Sequence, residues 1–272
     1  MIGPTARTED TNLDSGPEDQ GEGEGMDAVL SAGVPSRTDC PFGLGCVGTV
    51  VQSLDAELEA ARALAVDDLA DAIESIGFEC TRCGACCTGE ADEDHTATVF
   101  PDEVRELTDR ADDGPYDWRD VARPMPYGLD ERDGELEGET FEWALQTDSC
   151  GDCTFYEEDD SGTGSCVAHD DRPLICRTYP FSVALAGTSQ PMGEAVDEAG
   201  IVRAHECEGL GRAISRPDAE ALARALKERA VRELAEAIGV RDEYEPADPG
   251  PGEVVVHDSE GAKRIDGTPI ED

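Results

Sequence analysis

The sequence predicts an α+β fold, mainly helical: a small metal-organised domain with irregular ligand loops and short hairpins, behind a disordered acidic N-terminal tail. Three observations predict it. Two stretches repeat apolar residues at helical spacing, cysteines crowd the region between them, and only 38% of the 272 residues are hydrophobic and 5% aromatic. So little apolar material leaves part of the chain as solvated tail or loop.

Residues 1–36 are rich in Gly, Glu, Asp, Ser and Thr, a composition that cannot offset chain entropy by burial; they are the expected tail. Residues 37–77 comprise a linker and an amphipathic helix. Leu54, Leu58, Ala61, Ala65, Leu69, Ala72, Ile73 and Ile76 recur at helical spacing; Ser53 caps the helix, Gly77 stops it, and a bend is expected near Val66-Asp67-Asp68. Residues 78–240 are the expected cysteine-cluster domain and 241–272 an acidic C-terminal extension. Within the domain, Pro101 opens a short helix with Val104 and Leu107 inward, and residues 109–140 read as acidic and irregular. Thr140 to Gln146 alternates like a strand. Thr154-Phe155-Tyr156 and Val167-Ala168-His169 flank a turn at residues 159–164, which predicts a hairpin with a cysteine before each arm. Ser182 to Leu185 and Ile201-Val202 predict short strands. Residues 217–238 predict a second helix, opened by Pro217, faced by Leu222, Leu226, Leu234 and Ile238, and closed by Gly239. Residues 253–257 and 262–265 suit a terminal hairpin.

The charge is extreme, with 64 acidic residues against 21 basic ones and a formal net charge of −43; Lys227 and Lys263 are the only lysines. Such an excess opposes compaction until salt screens it, and at about 1 M salt the Debye length shrinks to roughly 3 Å. Because acidic residues occur in nearly every segment, we read the chain as adapted to a salt-rich cytosol. No basic patch is available for nucleic acid, and no apolar run approaches the roughly 20 residues of a spanning helix. With no apolar signal core near the N-terminus, a cytoplasmic protein is expected.

In that compartment eleven cysteines, an odd number, read as metal or redox chemistry rather than as disulfides. Cys80, Cys83 and Cys86 are separated by two residues each, so one tight loop can turn three sulphurs toward one point, as ferredoxin-type loops do for a cubane cluster. Zinc also accepts thiolate pairs at this spacing. The triplet favours an iron–sulphur centre, with zinc as the alternative. Cys87 follows Cys86 immediately and is poorly placed to reach the same point, so Cys176 is the best candidate to complete the triplet. Cys87, Cys153, Cys166 and Cys207 are then available for a second site. Arg172 and Arg177 flank Cys176, where guanidinium groups can offset accumulated thiolate charge. His169 and His205 lie near candidate ligands; His95 and His257 have less in their favour.

These pieces together resemble a known family. Cys80-x2-Cys83-x2-Cys86-Cys87, Cys153-Thr-Phe-Tyr, Cys166-Val-Ala-His, the run Arg172-Pro-Leu-Ile-Cys-Arg-Thr-Tyr-Pro-Phe and Cys207-Glu-Gly resemble the YkgJ-type cysteine-cluster family, across roughly residues 78–211. That family is described as zinc- or iron-chelating and sometimes as iron–sulphur oxidoreductases. The resemblance implies a metal ion or cluster as partner and carries over Cys80, Cys83, Cys86, Cys87, Cys153, Cys166, Cys176 and Cys207. It leaves Cys40, Cys46 and Cys150 outside. No nucleotide-binding loop, flavin site or hydrolase constellation accompanies the cysteines. The expectation is a structural or sensory metal-binding protein; the rivals are an iron–sulphur electron-transfer enzyme and a metal-delivery protein. The sequence names no protein partner.

Overall fold

The computed structural model describes residues 53–270, apart from 90–94, 111–115, 133 and 192–193. The expected tail, Cys40 and Cys46 lie outside the described residues. The expectation of a mainly helical domain is corrected: the structure is 34% helix and 22% strand, with six α-helices and four small sheets among the described residues. Strands of only two to six residues, several of them acidic, carry too little alternation to register in the sequence. Among the described residues no helix is long and apolar enough to cross a membrane.

The expected first helix is two, α1 (Leu54–Ala63) and α2 (Val66–Ile76), broken at Leu64 and Ala65. Ser53 caps α1 by accepting from the Ala56 amide, and the Leu64 carbonyl at the break accepts from Lys227 Nζ at 2.7 Å. Both helices pack on α6 (Arg216–Glu243), where Leu69, Ile73, Leu226 and Leu234 are buried. Each such side chain contributes about 1.5–3 kcal/mol by leaving water. Gly239 does not end α6 as expected: a Cβ there would lie 2.6 Å from the Ser259 Cβ, so the glycine serves a close approach. The same core takes in the antiparallel strands β8 (Phe181–Val183), β10 (Val202–His205) and β9 (Ala195–Asp197).

A second core forms under β1 (Thr98–Val99), β5 (Trp143–Leu145) and β2 (Ala122–Pro124), with α3 (Pro101–Thr108) and α4 (Trp118–Val121) against it. The region read as irregular, 109–140, thus supplies α4, β2, β3 (Asp130–Arg132) and β4 (Glu135–Thr140). β4 pairs in parallel with β11 (Val254–Asp258), which forms the expected hairpin with β12 (Gly261–Lys263). β11 is buried throughout, and Asp258 accepts from both Trp143 Nε1 (2.9 Å) and Lys263 Nζ (2.6 Å). The hairpin β6 (Tyr156–Glu158) and β7 (Gly164–Cys166) packs against the second core, and the short helix α5 (Leu174–Thr178) contacts both α6 and β1. The second arm of that hairpin contains Cys166, opposite Tyr156, instead of following it.

Candidate metal centre

Four segments deliver the eight cysteines. The first, residues 78–87, is fastened at both ends. Phe78 bridges Leu210 and the Glu79 amide donates to the Gly209 carbonyl at 3.0 Å, which sets Cys80 beside the loop of Cys207. At the other end the Cys87 carbonyl accepts from the Cys153 amide at 2.8 Å. Between them the loop turns through positive φ at Arg82 (60°) and Gly84 (81°). Arg82 is held to the hairpin: its carbonyl accepts from the Gly164 amide at 2.8 Å and its Nε donates to the Gly164 carbonyl at 3.1 Å. The Tyr156 ring lies across Gly84 and Gly164, filling the space that a Cβ at either would take.

The fourth segment is α5, which carries Cys176. Pro173 precedes it, and its two ends are anchored by buried charges from distant helices. The Leu174 amide donates to Glu103 Oε1 of α3 at 2.9 Å. Arg229 of α6 donates to Thr178 Oγ1, to the Phe181 carbonyl and to the Ser189 carbonyl, and pairs with Glu233 at 2.8 Å. Sequence reading missed Glu103 and Arg229 because nothing local marks a residue whose partner is dozens of positions away.

Cys80, Cys83 and Cys86 are exposed, Cys87, Cys166, Cys176 and Cys207 half-buried, and Cys153 buried. A cavity of about 880 Å³ opens among them, bordered by Cys86, Cys87, Cys153, Cys166, Cys176 and Cys207. His95 and Arg172 also face it. The thiols influence one another in two sets. Burial raises the Cys207 thiol, and Cys83, Cys86 and Cys80 are the thiols that add to the shift. Burial raises Cys176 strongly, with Cys153, Cys86 and Cys166 adding to it. Burial likewise pushes Cys153 up to about 12, with Cys166 and Cys86 contributing. The backbone bond of Glu79 to Gly209 brings the Cys207 loop beside Cys80, while Cys176, expected to complete the triplet, borders the cavity with Cys86, Cys87, Cys153 and Cys166. Cys86 touches both sets. Its thiol is lowered to about 7, chiefly by a hydrogen bond from Cys87, whose own thiol is raised by the same bond.

The Arg172 guanidinium acts to lower the Cys86, Cys166 and Cys176 thiols, against the upward push of burial; Arg177 is exposed on α5. Cys150 is exposed outside both sets. His169 is exposed, and His205 is buried with Nε2 3.0 Å from Ser182 Oγ. His257 is buried against Glu139 at 2.8 Å.

Among the described residues no three His, Cys, Asp or Glu side chains already sit in ligating geometry around one point. The donor chemistry nonetheless fits a thiophilic metal. Cys86 Sγ and Cys87 Sγ are 3.7 Å apart. That separation matches the edge of about 3.8 Å in a tetrahedron with metal–sulphur bonds of about 2.3 Å.

Residues 79–208 match the family model described as "CxxCxxCC: Putative zinc- or iron-chelating domain". No curated protein and no solved structure matches the chain. The matched residues open on Cys80-x2-Cys83-x2-Cys86-Cys87 and run through Cys153, Cys166 and Cys176 to Cys207, so the match falls on the cysteine-cluster family that the sequence resembles.

Proposed function

We propose that this protein binds metal at two thiolate centres that meet at Cys86. The outer centre uses Cys80, Cys83, Cys86 and Cys207, and the inner one Cys87, Cys153, Cys166 and Cys176. The observation that carries this reading is the cavity bordered together by Cys86, Cys87, Cys153, Cys166, Cys176 and Cys207, with Cys80 tied beside the Cys207 loop. For the outer centre we favour iron–sulphur, because three ligands come from one tight loop and the fourth from afar. A bound cluster would supply one-electron chemistry; the chain's own contribution is to hold the sulphurs and to place Arg172 where it offsets their charge. The exposed outer thiols suit exchange of electrons or metal with a partner, while the inner set, backed by the second core, suits a structural ion. Zinc is the second reading, favoured by the 3.7 Å between Cys86 and Cys87, which fits two thiolates on a single ion.

Purification without oxygen, followed by assay of iron, acid-labile sulphide and zinc, tests this. Brown protein with iron and sulphide that bleaches in air supports the cluster. Colourless protein with stoichiometric zinc replaces it with zinc, and protein without tightly bound metal refutes both.

A further inference from the structure

Beside the thiols lies a buried imidazole with one nitrogen unaccounted for. His95 is 2% exposed and borders the same cavity as Cys87, Cys153, Cys166 and Cys176. Its backbone is fixed, the amide donating to the Gly151 carbonyl at 2.9 Å and the carbonyl accepting from Arg123 Nη2 at 2.9 Å. Nε2 stands 3.1 Å from the Cys86 carbonyl. A carbonyl can only accept, so Nε2 carries the proton and, in the neutral ring, Nδ1 carries a bare lone pair. That atom is buried without a hydrogen-bond partner. An unpaired buried acceptor opposes folding unless something takes the lone pair. A ring one of whose nitrogens donates to a backbone carbonyl while the other keeps a vacant lone pair is the arrangement of a metal-ligating histidine.

We propose that His95 Nδ1 is a nitrogen ligand of the metal at the inner centre, which makes that centre a mixed thiolate–imidazole site for a zinc-like divalent ion. Replacing one thiolate by a neutral imidazole also removes one negative charge from a half-buried site in a chain of net charge −43. The assignment rests on the reading of the inner thiols as metal ligands.

The full chain loaded with cadmium-113 in molar salt tests it. Sulphur-bound cadmium resonances report the thiolate centres. A proton–cadmium correlation spectrum shows histidine ring protons only where an imidazole is bound. We expect one histidine correlation, absent in His95→Gln and retained when His169, His205 or His257 is changed to Gln; elimination among the four histidines assigns it even if His95→Gln folds poorly. Competition with a chelator should show zinc retention weakened about 10- to 100-fold in His95→Gln. Sulphur-bound cadmium without any histidine correlation, or a correlation lost with another histidine, overturns the role of His95 and leaves the thiolate centres standing. Absence of bound cadmium altogether overturns the metal reading itself.

Discussion

Replacing Arg229 by Met should destabilise the protein more than its one lost charge suggests. The guanidinium is 2% exposed and makes four interactions: with Glu233 at 2.8 Å, Thr178 Oγ1 at 3.0 Å, the Phe181 carbonyl at 3.1 Å and the Ser189 carbonyl at 2.6 Å. Removing it leaves Glu233, itself 8% exposed, as a buried carboxylate without its cation. Burial already raises the Glu233 pKa, so ionisation there is disfavoured even with Arg229 present. Breaking a buried pair from one side costs about 3–5 kcal/mol. For a domain of this size that lowers Tm by about 10 °C. Chemical denaturation at molar salt and matched metal content measures it, with Arg229→Met/Glu233→Met alongside. The double variant should recover part of the loss because the stranded carboxylate is gone. Since Thr178 ends the helix bearing Cys176, the single variant should also retain metal less well. A loss below about 1 kcal/mol, or a double variant no more stable than the single one, would refute the reasoning.

Three further outcomes are expected. Dialysis from molar KCl into dilute buffer should abolish the helical circular dichroism signal, because 64 acidic residues face 21 basic ones; an unchanged melt in low salt contradicts the salt-adapted reading. Cys83→Ser and Cys176→Ser should each reduce bound metal, measured by elemental analysis, whereas Cys150→Ser and Cys40→Ser should not; equal metal content in all four counts against the ligand assignment. Gly209→Ala would set a Cβ 2.4 Å from the Glu79 carbonyl, so it should separate the loops that hold Cys80 and Cys207 and cost about 1–3 kcal/mol, with metal lost more readily to a chelator.

The helices were legible because burial of one face imposes a period that survives in composition: Leu69, Ile73, Leu226 and Leu234 are in the core where periodicity put them. The sheets were legible only in part: the hairpins β6–β7 and β11–β12 and the strands β5, β8 and β10 were expected, whereas others were not. β3 and β4 are largely solvated and acidic, and β11 owes its place to a parallel neighbour more than a hundred residues away. Gly239 read as a stop because a glycine's demand for close approach looks the same in sequence as a demand for a turn. At the site, two-residue spacing identified the triplet, since it reflects the geometry of one loop. It could not say which distant thiol lies beside it: the bridge of Phe78 to Leu210 brings the Cys207 loop to Cys80, and Glu103 and Arg229 anchor the helix that carries Cys176. His95 left no local signature either, as its significance lies in a carbonyl nine residues back along the chain.

The packing of α1 and α2 on α6 sets an order of events during synthesis. The cysteine loop leaves the ribosome long before Cys207, and earlier still than α6, against which the first two helices must dock. Until Glu243 and then β11 emerge, neither core can close, and the early thiols wait on a nascent chain with nothing to hold them in place. Metal captured at that stage would sit on a flexible loop with three sulphurs, open to exchange and to air. On the reading of these thiols as ligands, productive loading follows the folding of α6 and β11, and a metal donor would have to recognise the folded domain.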